Sequence, residues 1–159
     1  MNSGPLPVPG LDPALDPADL RILAQLQRDA SLSRNRLADA VGLKPKQLDV
    51  RLGRLRAQGW LERVVALISN DRVGLPLTVF AFVETNDPQF EQVIRSVPEA
   101  AEVYRLDREY LVKLMVADRA DYARIETALR TALPGATIRA REATDKVRFT
   151  TELPLDRIG

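Results

Sequence analysis

The sequence predicts an α+β protein in two parts, an N-terminal helix-turn-helix unit of winged-helix-like type and a C-terminal βαββαβ unit of the ferredoxin-like kind. Three observations carry this. Leu37-Ala38-Asp39-Ala40-Val41-Gly42-Leu43, followed by Leu48, Leu52 and Leu55, places two short apolar stripes on either side of a glycine, the layout of a helix-turn-helix. Segments rich in β-formers alternate with amphipathic ones across residues 78–150. Positive charge, finally, is concentrated in the first part of the chain.

The elements follow in order. Residues 1–15 contain Pro5, Pro7, Pro9 and Pro13 with Gly4 and Gly10, too interrupted for a helix, and are expected to be a flexible tail. Asp16-Pro17-Ala18-Asp19 starts a helix, with a capping Asp, Pro at the first position and an acid three residues after the cap. Leu20, Leu23 and Leu26 continue it to about Asp29. Ser33 caps a second helix, Leu37 and Val41 lie on one face of it, and Gly42 supplies the permissive backbone of a tight turn. Pro45 opens a third helix and Gly59 is placed to end it. With Leu48, Leu52 and Leu55 inward, a helical wheel leaves Lys46, Gln47, Val50, Gly53 and Arg54 facing away from the core. The helix-turn-helix domain therefore spans residues 16–61.

A linking strand and hinge over residues 62–76 comes next. Trp60 to Ser69 is rich in β-formers, and Asp71, Gly74 and Pro76 mark a bend. Residues 77–155 form the second domain. Strands are expected at Thr78 to Thr85, Ala101 to Leu106, Tyr110 to Val116 and Thr137 to Thr150. Helices are expected at Pro88 to Val97 and Asp118 to Leu133, the latter stopped by Pro134-Gly135. Helices on one side of a sheet leave its other face to bury. Phe80, Phe82, Val112 and Leu114 or their neighbours would cover it by pairing with a second subunit, so a homodimer is expected.

Composition narrows the function classes. A chain of 159 residues with 45% hydrophobic content can bury a core. No apolar run is long enough to span a bilayer and no charged-then-apolar leader opens the chain, so a cytoplasmic protein without a membrane partner is expected. Cysteine and histidine are both absent from the sequence, which removes disulfides, thiol chemistry, the commonest metal ligands and the usual general base. No catalytic residues, metal site or cofactor are expected. Between residues 31 and 64 stand eight basic residues, Arg34, Arg36, Lys44, Lys46, Arg51, Arg54, Arg56 and Arg63, against Asp39, Asp49 and Glu62. Residues 65–159 carry thirteen basic against fifteen acidic residues. A solvated helix face would also be charged, but phosphate binding requires this concentration on the reader segment.

The motif L-A-x-x-V-G-L-x-P at Leu37–Pro45, the βαββαβ order and the ending Thr150-Thr151-Glu152-Leu153-Pro154-Leu155 resemble the Lrp/AsnC (leucine-responsive, feast/famine) transcriptional regulators over about Leu15 to Leu155. The resemblance implies a sequence-specific regulator that binds double-stranded promoter DNA as a homodimer, tetramer or octamer, many members sensing amino acids. It places the third helix in the major groove. Lys46, Gln47, Val50 and Arg54 then project toward bases, Gln47 suited to adenine, Arg54 to guanine and Val50 to a thymine methyl, while Lys44, Arg51 and Arg56 suit phosphate. Asp49 adds an acid close to DNA.

The effector positions so implied fall on Leu106, Asp107 and Arg108 of the turn between the second and third strands, and on Ala140 and Arg141 of the last strand. Where the family commonly has a Thr-Gly-Asp-Tyr-Asp type turn, this chain reads Arg105-Leu106-Asp107-Arg108-Glu109-Tyr110, without glycine and about two residues shorter. Amino-acid sensing is therefore expected to be altered or lost. Two other classes remain open at this point: a ligand-binding or interaction module with a relic helix-turn-helix, supported by Gly53 in mid-helix and the non-basic Val50, and a sirohaem decarboxylase-like enzyme, which the absence of histidine disfavours.

Overall fold

The computed structural model describes residues 15–155; the expected tail falls on residues 1–14, outside the described residues, except for Leu15. The described chain forms two compact units, one comprising the chain to Ala66 together with the segment from Phe149, the other Leu67–Arg148.

In the first unit, three helices surround one apolar cluster: α1 (Pro17–Arg28), α2 (Arg34–Val41) and α3 (Pro45–Ala57). Asp16 caps α1, its carboxylate accepting the N–H groups of Ala18 at 2.8 Å and Asp19 at 3.0 Å, while Asp19 accepts the Asp16 N–H at 3.1 Å. This reciprocal capping box satisfies donors that a helix start would otherwise leave unpaired. Ile22, Leu37, Ala38, Val41, Leu48, Leu52 and Leu55 fill the core. Leu15 joins them, almost fully buried, so this residue of the expected tail belongs instead to the core: it sits just before the cap and packs inward. At the other end of the unit, Gln27 pairs with the backbone of Leu153, accepting its N–H at 2.7 Å and donating to its carbonyl at 3.3 Å.

Gly42 ends α2 with φ 71°, and the Leu43 N–H closes on the Ala38 carbonyl at 2.9 Å. Gly53, inside α3, has an ordinary helical backbone, and at both glycines an added Cβ would meet open space. The same methyl therefore has opposite expected effects. Gly42→Ala should destabilise by about 1–2 kcal/mol through left-handed strain, whereas Gly53→Ala should stabilise by about 1 kcal/mol through helix propensity. Urea unfolding followed by the fluorescence of Trp60, the single tryptophan, measures both.

The second unit is a four-stranded antiparallel sheet of β1 (Leu77–Glu84), β2 (Ala100–Arg105), β3 (Tyr110–Val116) and β4 (Thr137–Glu142), in the order β2-β3-β1-β4, with α4 (Phe90–Arg95) and α5 (Arg119–Ala132). Val79, Ala81 and Val83 of β1, Val112, Leu114 and Val116 of β3, and Ile138 of β4 share the buried face with Phe90, Ile94, Ile125 and Leu129 of the helices. The register pairs Ala81 with Val112 and Val79 with Leu114. Val112 and Leu114 are thus core residues, contrary to the sequence expectation, and the opposite face carries Phe80, Phe82, Leu111, Lys113 and Met115. Alternation within a strand gives two faces but does not say which one meets the helices.

Two expected strand segments are irregular. Among the described residues, Trp60 to Ser69 forms no strand and joins no sheet, leaving Val64, Val65, Leu67 and Ile68 exposed. A β-rich composition does not form a strand without a ladder to receive its backbone groups. The last strand stops at Glu142, one further backbone bond joining Ala143 to Thr78 at 2.9 Å.

Candidate nucleic-acid interface

Helix α3 presents one unobstructed face. Opposite the buried Leu48, Leu52 and Leu55, the exposed row is Lys46, Val50, Gly53 and Ala57, and Val50 at its centre is 70% exposed. An exposed valine flanked by a glycine leaves the middle of the helix low and apolar. That profile lets a helix lie close against a groove floor.

The flanks are charged and largely paired. On one side Arg34, the first residue of α2, is ion-paired with Asp49, so the acid expected near DNA is neutralised within the unit. On the other side Arg51 donates Nη1 to Asp16 at 2.6 Å and to Asp19 at 2.9 Å, and Arg54 donates Nη2 to Asp19. Asp19 has no exposed surface. Its carboxyl is pushed up by burial but pulled down further by the Asp16 N–H and the two guanidiniums, and it lies below the ordinary carboxylate range. The Arg51 guanidinium holds the Asp16 carboxyl at about 2.

At the start of α3, the Gln47 side-chain oxygen accepts the Lys44 N–H at 3.0 Å. That amide is committed through its oxygen and keeps its NH2 donors. Lys44, Lys46, Gln47, Val50, Arg51 and Arg54 together line a groove of about 640 Å³, completed by Leu43 and Asp16. Arg56 stands apart from it, exposed on the opposite flank of α3. Sequence reasoning brought these α3 residues together but missed Asp16 and Asp19 as their counter-ions. The capping-box motif marked those two only as a helix start.

The second unit has a recess of about 450 Å³ at one end of its sheet, lined by Leu106, Asp107 and Arg108 together with Glu84, Glu109 and Arg139. The turn closes through the Leu106 N–H donating to the Glu109 carbonyl at 2.8 Å. Arg139 donates to Glu109 at 2.6 Å. Ala140 and Arg141 are not among the lining residues. Arg139 takes the place expected for them, because β4 pairs with β1 so that Thr137 lies opposite Glu84, which puts the start of β4 at this end. Among the described residues no group of acidic side chains is arranged to hold a metal ion, and no helix is long and apolar enough to cross a membrane.

Comparison with known proteins places these features. Residues 15–62 match the winged helix-turn-helix DNA-binding family. Over 151 residues, 89% of this chain and 99% of the relative, the chain is 32% identical to the DNA-binding transcriptional activator DecR of Escherichia coli strain K12. Its fold is similar to that of an AsnC family transcriptional regulator from Agrobacterium tumefaciens, with a TM-score of 0.83 and 30% identity over 91% of this chain and 99% of that one. It is similar also to a transcriptional regulator from Neisseria meningitidis solved in complex with L-methionine, with a TM-score of 0.84 and 25% identity over the same shares.

Proposed function

We propose that this chain, which belongs to the Lrp/AsnC family of DNA-binding transcriptional regulators, acts in the cytoplasm as a dimer or larger assembly whose α3 helices enter successive major grooves of promoter DNA. The observation that carries the reading is the open row Lys46, Val50, Gly53 and Ala57 of α3 beside the cation-lined groove. Lys46 and Val50 read base edges, Val50 through a thymine methyl, and Gln47 reaches a base with its free NH2 donors. Arg54, oriented by Asp19, offers its remaining N–H groups to a guanine. Lys44, Arg51 and Arg56 face phosphates. Paired α3 helices separated by a helical turn or more make the target an imperfect palindrome. The reading is of a regulator and not of an enzyme.

The boundaries that suit this action are residues 16–61 for reading, 62–76 for linking and 77–155 for assembly and effector response, with the segment from Phe149 packed in the first unit, where Leu153 meets Gln27. The apolar sheet face of Phe80, Phe82, Leu111 and Met115 supports self-association. The recess at Leu106, Asp107 and Arg108 supports a small-molecule effector, and the Neisseria relative holding L-methionine makes an amino acid the class to test first. Sensing is altered here: the turn has no glycine, and charged groups from Glu84, Glu109 and Arg139 line the recess.

Fluorescence anisotropy on a duplex selected by the protein from a random library, and on a random duplex, tests the interface. Lys46→Ala should weaken the selected duplex by about 10-fold and relax preference at one base pair. Lys44→Ala should weaken both duplexes alike and reduce the log–log salt slope by about 1. If neither variant alters either affinity, α3 does not face DNA and the interaction-module reading takes its place.

A further inference from the structure

Two carboxylates of α1 reach across to the helix assigned to DNA. Asp16 and Asp19, which start α1, are also the counter-ions of Arg51 and Arg54, two of the three arginines of α3. Starting a helix does not require this. A side-chain oxygen suffices at the cap, and Asn or Ser serves as well as Asp. A charge at a fully covered position is instead a cost that its partners must offset, and Asp19 is fully covered. The arrangement also has a direction. Asp16 is 45% exposed and lines the groove beside Lys44, Lys46 and Arg51, so it stands where a phosphate run would approach.

We propose that Asp16 and Asp19 are positioning residues for DNA binding: they hold Arg51 and Arg54 against α1, cancelling part of the attraction for any phosphate backbone while fixing the orientation in which these arginines meet a chosen sequence. This rests on the reading that α3 faces DNA. Arg51 offers the same Nη1 to both carboxylates, so part of its attraction for a phosphate is answered within the protein. Arg54 uses Nη2 on Asp19 and keeps its remaining N–H groups in one orientation. Phosphate attraction is common to all sequences, whereas an oriented guanidinium distinguishes among them. Discrimination is thereby gained at the expense of general affinity.

Asp16→Asn separates charge from capping, because Asn retains the cap. Anisotropy on the selected and random duplexes at several salt concentrations should show the random duplex bound several-fold more tightly, with the log–log slope steeper by about 0.9, the contribution of one further neutralised phosphate. The selected duplex should gain less, so the specificity ratio falls. In an Arg51→Gln background the same substitution should add nothing. Asp16→Ser provides a second uncharged cap and should behave as Asn does. Unchanged random-duplex affinity and slope in folded Asp16→Asn would overturn the proposal. So would a gain that persists in the Arg51→Gln background, which would mean distant repulsion rather than a hold on Arg51. Loss of the fold in both capped variants would assign the carboxylate to stability alone and overturn it too. Lys46→Ala run alongside separates the failures. If it weakens binding while Asp16→Asn does nothing, only the clamp fails; if it also does nothing, the interface reading fails.

Discussion

Asp19→Ala should lower the unfolding free energy of the first unit by about 3 kcal/mol, the low end of the cost of removing one partner from a buried ion pair. The low end applies because the guanidiniums left behind are partly exposed, with side chains 28% exposed for Arg51 and 40% for Arg54, and can turn toward water. The Asp16 N–H also loses its acceptor. Trp60 fluorescence in a urea titration reports the change. Both carboxylates titrate below their ordinary range when folded, Asp16 at about 2, so the unfolded chain binds protons first as pH falls. Their stabilisation is complete above the unfolded value of about 3.9 and is lost on acidification toward the folded value. The wild-type unit should weaken between about pH 4 and 2, and Asp19→Ala should show a flatter acid limb. A stability loss under about 1 kcal/mol would mean that the network is a surface feature.

Phe82→Glu should leave the protein monomeric at micromolar concentration by sedimentation velocity, where self-association through this sheet face, as proposed, makes the wild type a dimer or larger. Phe82 lies on the open sheet face, paired across the strands with Leu111 on one side and Arg139 on the other, the Arg139 guanidinium 6.0 Å from its ring. In a symmetric interface the new carboxylate and its twin would both be buried, at a cost of several kcal/mol, or more than about 100-fold in dissociation constant. Arg139 cannot fully compensate, since it already serves Glu109. Unit stability should hardly change, because the position is only half-buried within one chain. DNA binding should fall with assembly, as two linked half-sites become two separate ones. A dimer of unchanged affinity would place the interface elsewhere.

The helices of the first unit were legible almost to the residue. Asp16-Pro17 starts α1, Ser33 caps α2, Pro45 opens α3, and Gly42 and Gly59 take positive φ where the chain must turn. Such signals act through a residue's own dihedrals or a donor a few residues away. The strand β3 at Tyr110–Val116 was equally plain, since a run of β-forming and apolar residues is a property of seven successive positions. What stayed hidden involves partners far along the chain. Arg54 meets Asp19 across 35 residues, and no periodicity joins a cap on one helix to a flank of another. Arg139 and Glu84 entered the recess for the same reason, brought there by strand pairing.

The sequence by itself determined the five helices, the four strands of the sheet, their order and the face of α3 that turns outward, because each depends on local propensity and on a 3.6-residue or two-residue period. Only the tertiary structure decided which strand faces meet the helices, that Leu15 belongs to the core, that Trp60 to Ser69 joins no sheet among the described residues, and which cations of the reader helix are already engaged. Register and ion pairing depend on distances between segments that the chain brings together only when it folds.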